Sequence, residues 1–268
     1  MIFVRDKGRM CNNILQFGHV YAWAREHGRT AVSMRFAYKY RYFRICHTRW
    51  HSFATYVFAK CAAKAGLLPV AGFHSTTDNS RAMTILESRR NLVVEGWEVR
   101  FYDLFLKYKQ EIISLFTFDD AILNKVKAMM DKACKADDTL RLGVHVRRGD
   151  YKTWNGGRYY FSDRQYAEVI HRFVAQHPYS RIEVFVCGND PNLSSIKSAV
   201  DGNISLHVPN GNPAEDLCML SECDYIVGAP STFSLVASMY HDRPLHWIMS
   251  SDDEIKFDRF DNLFRHIL

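Results

Sequence analysis

Leu140 to Tyr151 reads LRLGVHVRRGDY, and the interpretation of the whole chain turns on this stretch. Leu140, Leu142, Val144 and Val146 alternate with other residues in the pattern of a short strand. The strand gives way to Arg147, Arg148, Gly149 and Asp150. Two adjacent guanidiniums at the carboxyl end of a strand are chemically unusual, because each is a planar, permanent cation whose donor fork matches pairs of phosphate oxygens. A glycine beside them lets the backbone turn and lets a ligand come close. In open α/β sheets, ligands bind just beyond the carboxyl ends of the strands. The local chemistry therefore fits a diphosphate-bearing nucleotide, while a surface turn with solvated arginines is the competing account. The embedded Arg-Gly-Asp tripeptide is short enough to arise by chance and is not read as an adhesion motif.

The 268 residues exceed one average domain and suit two modest α/β domains. An apolar content of 47% with 24% charged residues is enough to bury a sizeable core. The net charge of +6 suits an anionic ligand or a membrane surface. It falls far short of a dedicated nucleic-acid binder, and no basic stripe lies on a recognisable nucleic-acid motif. The seven cysteines (Cys11, Cys46, Cys61, Cys134, Cys187, Cys218, Cys223) are scattered and form no CxxC pair. Reduced thiols in a cytoplasmic protein are expected, and a zinc site is not. The opening MIFVRDKGRM runs directly into a strand-like segment without a signal-peptide pattern, and no apolar run is long enough to span a bilayer. The expectation is a cytoplasmic protein, with any membrane contact peripheral and at the inner face.

Outward from the arginine loop, strands and helices alternate. Ile2 to Val4 read as a first strand, followed by a glycine-containing turn and a helix from Asn12 to about Gly28, with Asn12 or Asn13 as its cap. Arg35 to Arg49 carries five cations and no acid, interleaved with aromatics. That pattern suits a membrane surface or an acidic acceptor, and a solvated basic face accounts for it more simply. Ser52 to Leu68 reads as helix, Leu92 to Val99 as strand, Phe101 to Leu106 as an aromatic stretch, and Ile112 to Cys134 as one or two helices. The polar break Lys135 to Thr139 marks a domain boundary, giving domains 1–136 and 137–268, with the last helix packing back on the first domain. After the arginine loop, Tyr151 to Phe161 reads as a mobile loop. Helices are then expected from Ser162 or Asp163, Leu193, Glu215 and Thr232, and strands at Arg181–Cys187, Ser205–Val208, Tyr225–Val227 and Leu245–Ile248. This alternation predicts a parallel doubly wound sheet.

Three stretches together resemble the bacterial α-1,2-fucosyltransferases (glycosyltransferase family 11) and the wider superfamily that includes the α-1,6- and protein O-fucosyltransferases. They are HVRRGDY at His145–Tyr151, GRMCNNILQF at Gly8–Phe17, and EDLCMLSECDYIVGAPSTFS at Glu215–Ser234. The resemblance implies a GT-B fold, two Rossmann-like doubly wound domains facing a cleft. The second domain would bind GDP-fucose and the first would help place a glycan acceptor. It also implies an inverting, metal-independent fucosyltransferase with no cofactor beyond its donor substrate. L-fucose would pass from GDP-β-L-fucose to a glycan hydroxyl, with an α-1,2 link to galactose. Building surface polysaccharide is the implied role.

Carried onto this chain, the resemblance makes Arg147 the residue that binds the diphosphate and neutralises the departing GDP. Asp150 would orient Arg147 or act as a base. His145 would line the nucleotide pocket, and Arg148 would brace the loop or reach a ligand. Glu215 or, preferably, Asp216 would accept from guanine. Ser231, Thr232 and Phe233 would hold phosphate oxygens at a helix N-terminus. Gly8 and Asn12 complete the donor-binding set. His19 on the first helix is a second candidate base, although a solvated surface histidine is the simpler account. The chain departs from the family pattern at Gly188-Asn189-Asp190, at Leu235-Val236 and at Cys11 and Asn13. These departures leave two alternatives beside a fucosyltransferase: a GT-B transferase for another nucleotide sugar, and a non-catalytic nucleotide-sugar-binding protein in glycan assembly.

Overall fold

The computed structural model describes all residues except 137, 177–180, 203, 252 and 268. The chain divides into two compact units, Met1–Asp119 and Asp120–Ile267.

The first unit contains β1 (Ile2–Arg5), α1 (Met10–Glu26), β2 (Ala31–Ser33), α2 (Phe53–Lys64), β3 (Val70–Gly72), α3 (Ser80–Ser88), β4 (Leu92–Glu95), α4 (Tyr102–Lys107) and α5 (Lys109–Leu115). Its four strands are all parallel, in the order β2-β1-β4-β3. Ile2, Phe3 and Val4 are all buried, as are Leu92, Val93 and Val94. Continuous apolar runs of this kind belong to parallel strands covered on both faces. Helix α1 is buried nearly all round, from Met10 to Ala24, which explains why its apolar residues form no single clean stripe. Beside it Phe17, Phe36, Phe43 and Phe116 meet edge to face at centroid separations of 5.0 to 5.9 Å, the geometry that ring quadrupoles favour.

Several expectations for this unit are corrected. The N-cap of α1 is Arg9, so neither Asn12 nor Asn13 caps the helix. Strand β4 stops at Glu95, leaving Trp97 exposed in the following turn. The aromatic stretch from Phe101 becomes α4, which packs on α1. Strands β2 and β3 were not read from the sequence; at three residues each they are too short to show a period.

The second unit contains α6 (Asp120–Ala133), β5 (Leu140–Val146), α7 (Asp163–Ala175), β6 (Ile182–Gly188), α8 (Ser195–Ala199), β7 (Ser205–His207), α9 (Pro213–Ser221), β8 (Tyr225–Gly228), α10 (Thr232–His241), β9 (Leu245–Trp247) and α11 (Leu263–Ile267). The division falls ahead of α6, whereas the sequence placed the boundary after residue 136; Asp137 itself lies outside the described residues. The physical reason is that α6 packs against α9, with Lys125 Nζ donating to Glu215 Oε2 at 2.7 Å. The last helix, α11, packs on α10 of its own unit.

The second sheet is again all parallel, in the order β7-β6-β5-β8-β9. β5, the strand of the opening motif, lies at its centre. Chain order runs outward from β5 through β6 to β7, then returns to the other side of β5 for β8 and β9. The strand order therefore reverses between β5 and β8, and such a switch point is where open α/β sheets bind ligands. The strands close tightly there: a side chain on Gly228 would sit 2.4 Å from the His145 carbonyl oxygen, and one on Gly188 2.0 Å from that of Val146.

Candidate active site at the carboxyl edge of the second sheet

The residues after β5 do not form the mobile loop expected of Tyr151 to Phe161. Two short 3-10 turns, Gly149–Lys152 and Trp154–Gly157, fold back on the sheet. Tyr151, Tyr159 and Phe161 are buried, and Trp154 packs on Tyr151 and Tyr159 at 4.7 and 5.6 Å. The Tyr151 hydroxyl donates to the Pro230 carbonyl, tying the loop after β5 to the turn after β8.

The two arginines part company. Arg148 is buried, and its guanidinium is committed within the protein. Nη2 donates to Asp163 Oδ1 at 2.5 Å, Nη1 to Asp190 Oδ2 at 2.9 Å, and Nε to the Phe161 carbonyl at 3.0 Å. Asn189 reinforces the same point, accepting from the Arg148 N–H at 2.9 Å and donating back to its carbonyl at 3.2 Å. The geometry makes Arg148 a brace of the loop. Asp190 and Asn189, which the sequence reading treated as a departure from the family pattern, are its clamps.

Arg147 is differently placed. Its Nη2 lies 2.8 Å from both oxygens of the half-exposed Asp150, and its guanidinium lies over the Tyr151 ring at 5.2 Å. Its backbone N–H donates to the Tyr166 hydroxyl. Its Nε, however, is buried without a hydrogen-bond partner. Asp150 thus holds Arg147 in orientation, while one guanidinium donor stays unmatched. Buried donors are almost always paired in native proteins, so an orphan at this position points to a ligand acceptor.

Two further orphans lie on the same sheet edge. His145, the penultimate residue of β5, is buried with its ring stacked on Phe233 at 5.0 Å, and its Nδ1 has no partner. Burial, and then the charge of Arg147, push its pKa down to about 3, so the ring is neutral. Asp216, in the first turn of α9, is buried, and its Oδ1 has no partner. Burial, and then neighbouring Glu215, push its pKa up to about 7. The adjacent acid is occupied. Glu215 accepts from the Asn212 N–H in a capping box and from Lys125. Although partial burial opposes it, the Lys125 and Asn212 contacts hold Glu215 below the usual carboxylate range. Of the two acids proposed for guanine, only Asp216 has spare acceptor capacity shown by the geometry.

Opposite β5 across the switch point, the turn after β8 enters α10. Ser231 is the N-cap, accepting from the Phe233 N–H at 3.2 Å, and Thr232 opens the helix. Ser234 Oγ donates to the Ser231 carbonyl and accepts from the Trp247 indole. The positive end of the helix dipole faces the sheet edge that carries Arg147, as an anion site requires.

Gly8 and Asn12 belong to the first unit. Gly8 has a left-handed φ of +87°, and a side chain there would meet Asn12 Nδ2 at 2.5 Å. Gln16 clamps this turn from one helical turn away, exchanging hydrogen bonds with the Lys7 backbone at 3.1 and 2.7 Å. A polar group that the sequence reading missed lies at the end of β1. Asp6 accepts from the Ser33 hydroxyl, Ser33 N–H donates to His51 Nε2 at 3.0 Å, and Asp6 Oδ1 is orphaned. Burial, opposed by Ser33, pushes Asp6 up to about 7. An acid immediately after the strand Ile2–Arg5, two residues past its apolar run, was the available signal. His19 is neither solvated nor a base: it is buried, accepts from the Phe101 N–H at 3.0 Å, and is pushed down to about 3 by burial and then Arg100. Among the described residues, no group of three or more His, Cys, Asp and Glu is placed to hold a metal, and no helix is long and apolar enough to cross a membrane.

The architecture is shared with solved proteins. NodZ α-1,6-fucosyltransferase from Bradyrhizobium superposes with a TM-score of 0.57 at 14% identity, over 91% of this chain and 94% of that one. POFUT1 in complex with GDP gives 0.58 at 16% identity, over 92% and 97%. A variant of Arabidopsis thaliana FUT1 in complex with GDP gives 0.62 at 13%, over 97% and 72%. At these identities the likeness is one of fold, and the fold is GT-B-like, as expected. Residues 93–244, more than half of the chain, match the model for glycosyl transferase family 11, and the chain belongs to that family. It is 27% identical to galactoside 2-alpha-L-fucosyltransferase Sec1 of Mus musculus, over 89% of this chain and 64% of the relative. It is 25% identical to galactoside alpha-(1,2)-fucosyltransferase 2 of Rattus norvegicus, over 89% and 66%. The chain thus spans just under two thirds of the length of these relatives.

Proposed function

We propose that this chain is an inverting fucosyltransferase. It moves L-fucose from GDP-β-L-fucose to a glycan hydroxyl, forms an α-1,2 link to galactose, and needs no metal. The observation that carries the reading is the division of labour between the arginines at the switch point: Arg148 braces the loop, and Arg147 keeps an orphaned donor beside an N-terminus of matching polarity. Family membership and relatives named as galactoside α-1,2-fucosyltransferases support the choice of sugar and linkage.

The acceptor oxygen attacks the anomeric carbon on the face opposite the diphosphate. The carbon–oxygen bond to phosphate breaks, its electron pair leaves with GDP, and the proton of the acceptor hydroxyl passes to water. Negative charge accumulates on the departing phosphate. Arg147 and the N-terminus of α10, with Ser231, Thr232 and Phe233, meet that charge in fixed orientation, and loss of one such group typically costs roughly 10² to 10³ in rate. Asp216 accepts from guanine N1–H and its amino group. Neutral His145, held flat by Phe233, presents Nδ1 to the donor without adding charge. Asp150 acts as a positioning residue for Arg147.

Calorimetry with GDP, UDP and ADP on the protein and on Arg147→Ala tests the donor site. GDP-fucose with galactoside acceptors, with and without a chelator, tests transfer. Tight, GDP-selective binding that weakens in the variant is expected. Equal or absent binding of all three nucleotides would overturn the assignment.

A further inference from the structure

Helix α2 is built inside out. Its buried residues are the small ones, Ala59 and Ala62, which pack with Phe3, Val32 and Leu68. Of its large side chains Tyr56 packs inward, but Phe53 is 63% exposed, Phe58 is 62% exposed with only an edge contact to Phe3, and Val57 is exposed as well. Leu67, just past the helix, is 77% exposed, and Trp50, just before it, is also exposed. These account for five of the eleven large apolar side chains exposed among the described residues, within eighteen positions. Core formation would have put alanines outside and phenylalanines inside. A solvated helix would carry polar residues here. Contiguous exposed apolar surface of this kind marks an interaction site.

Charge identifies what covers it. No Asp or Glu occurs from His27 to Thr77, a stretch that carries eight cations: Arg29, Arg35, Lys39, Arg41, Arg44, Arg49, Lys60 and Lys64. The whole chain has 35 Lys and Arg against 29 Asp and Glu, so outside this stretch 27 cations face 29 acids and the balance is −2. The basic character of the protein is therefore concentrated in the stretch of chain that contains α2. Lys60 and Lys64 are exposed on the helix itself, and Arg49 lies over the Trp50 ring at 4.8 Å. An apolar helix face that also carries Lys60 and Lys64, with Trp50 and Arg49 beside its start, is the composition that settles into the headgroup layer of an anionic bilayer. A second copy of the chain is a poor occupant, because the same cations would meet across the dyad.

We infer that α2, with Trp50 and Leu67, is a peripheral membrane-docking face for anionic lipid. The contact expected of Arg35 to Arg49 is thereby centred on the following helix, with the basic stretch as its electrostatic surround. The twelve residues of α2 make a footprint about 18 Å long. This inference does not rest on fucosyl transfer.

The test is co-sedimentation of the full chain with phosphatidylcholine vesicles, with and without phosphatidylglycerol. Binding to the anionic vesicles is expected, weakening as salt is raised. Phe53→Ser with Phe58→Ser should lower the partition coefficient about tenfold or more, because two apolar anchors are lost. Lys60→Glu with Lys64→Glu should lower it by a similar factor, on the order of tenfold or more. Unchanged thermal midpoints in both variants would show that the fold is kept. Sedimentation with neither vesicle, equal sedimentation with both, or variants that bind like the parent would each overturn the inference. In the first case an acidic protein partner becomes the better occupant.

Discussion

Replacing Asp216 by asparagine should make the protein more stable and, if the proposed donor site is right, worse at binding GDP. The carboxyl group is buried, its Oδ1 has no partner, and Glu215 lies beside it. Its pKa stands at about 7 in the folded chain against an ordinary 3.8. Below pH 3.8 both states are protonated and the group contributes no difference. As pH rises, the unfolded chain releases the proton first, so stability is lost progressively until pH passes about 7. At pH 8 the accumulated cost is about 4 kcal/mol, by the conversion of 1.36 kcal/mol per pH unit of displacement. The amide introduced by Asp216→Asn would mimic the protonated acid, so the variant should match the parent near pH 4 and exceed it by up to that amount at pH 8. Guanine, in contrast, offers two donors where the amide presents one acceptor and one donor. Leaving a buried donor unmatched costs about 1–3 kcal/mol, so GDP affinity should fall roughly ten- to hundredfold. Urea unfolding at pH 4 and pH 8, with GDP calorimetry at pH 8, measures both effects. A variant less stable than the parent at pH 8, or one that binds GDP unchanged, would refute the reasoning. The parent should also bind GDP more weakly as pH falls below 7, because guanine requires the ionised acid.

Glu215→Gln should separate the two neighbouring acids: glutamine keeps the capping box, so stability should change by less than about 1 kcal/mol, and GDP affinity by less than about twofold. Arg148→Ala should unfold the loop rather than remove a ligand contact. Stranding Asp163 and Asp190 is expected to cost on the order of 3 kcal/mol, read as a lower denaturation midpoint. Arg147→Lys should fold normally, with a kcat/KM for fucosyl transfer reduced about a hundredfold, because an ammonium cannot reproduce the planar fork. Rates near the parent's would remove Arg147 from the leaving-group role.

How much could be read in advance follows from the range of the forces involved. The second unit was nearly legible, since its longest strands, β5 and β6, show apolar runs and α7 begins at the recognisable cap Ser162, although α9 starts at Pro213 rather than at Glu215. The short strands β2 and β3 carry too few residues for a period, and in β2 burial of all three residues removes any alternation. His19 looked like a surface group because a buried histidine that accepts a backbone N–H leaves no trace in local spacing.

The sequence by itself determined the parallel α/β class and the membership that its motifs imply, because these depend on residue type and near-neighbour pattern, whereas the central place of the arginine strand in its sheet came from the structure. The resemblance already favoured Arg147 over Arg148 and Asp216 over Glu215, and the tertiary structure supplied the physical reason for each preference. Within each pair the side chains are alike and adjacent in the chain. What distinguishes them is which partners satisfy one member and leave its neighbour with an unmatched atom: Asp163, Asp190 and Phe161 for Arg148, and for Glu215 the distant Lys125 together with the local cap Asn212. Apart from that capping box, the partners arrive from segments well separated in the chain, beyond the reach of local pattern.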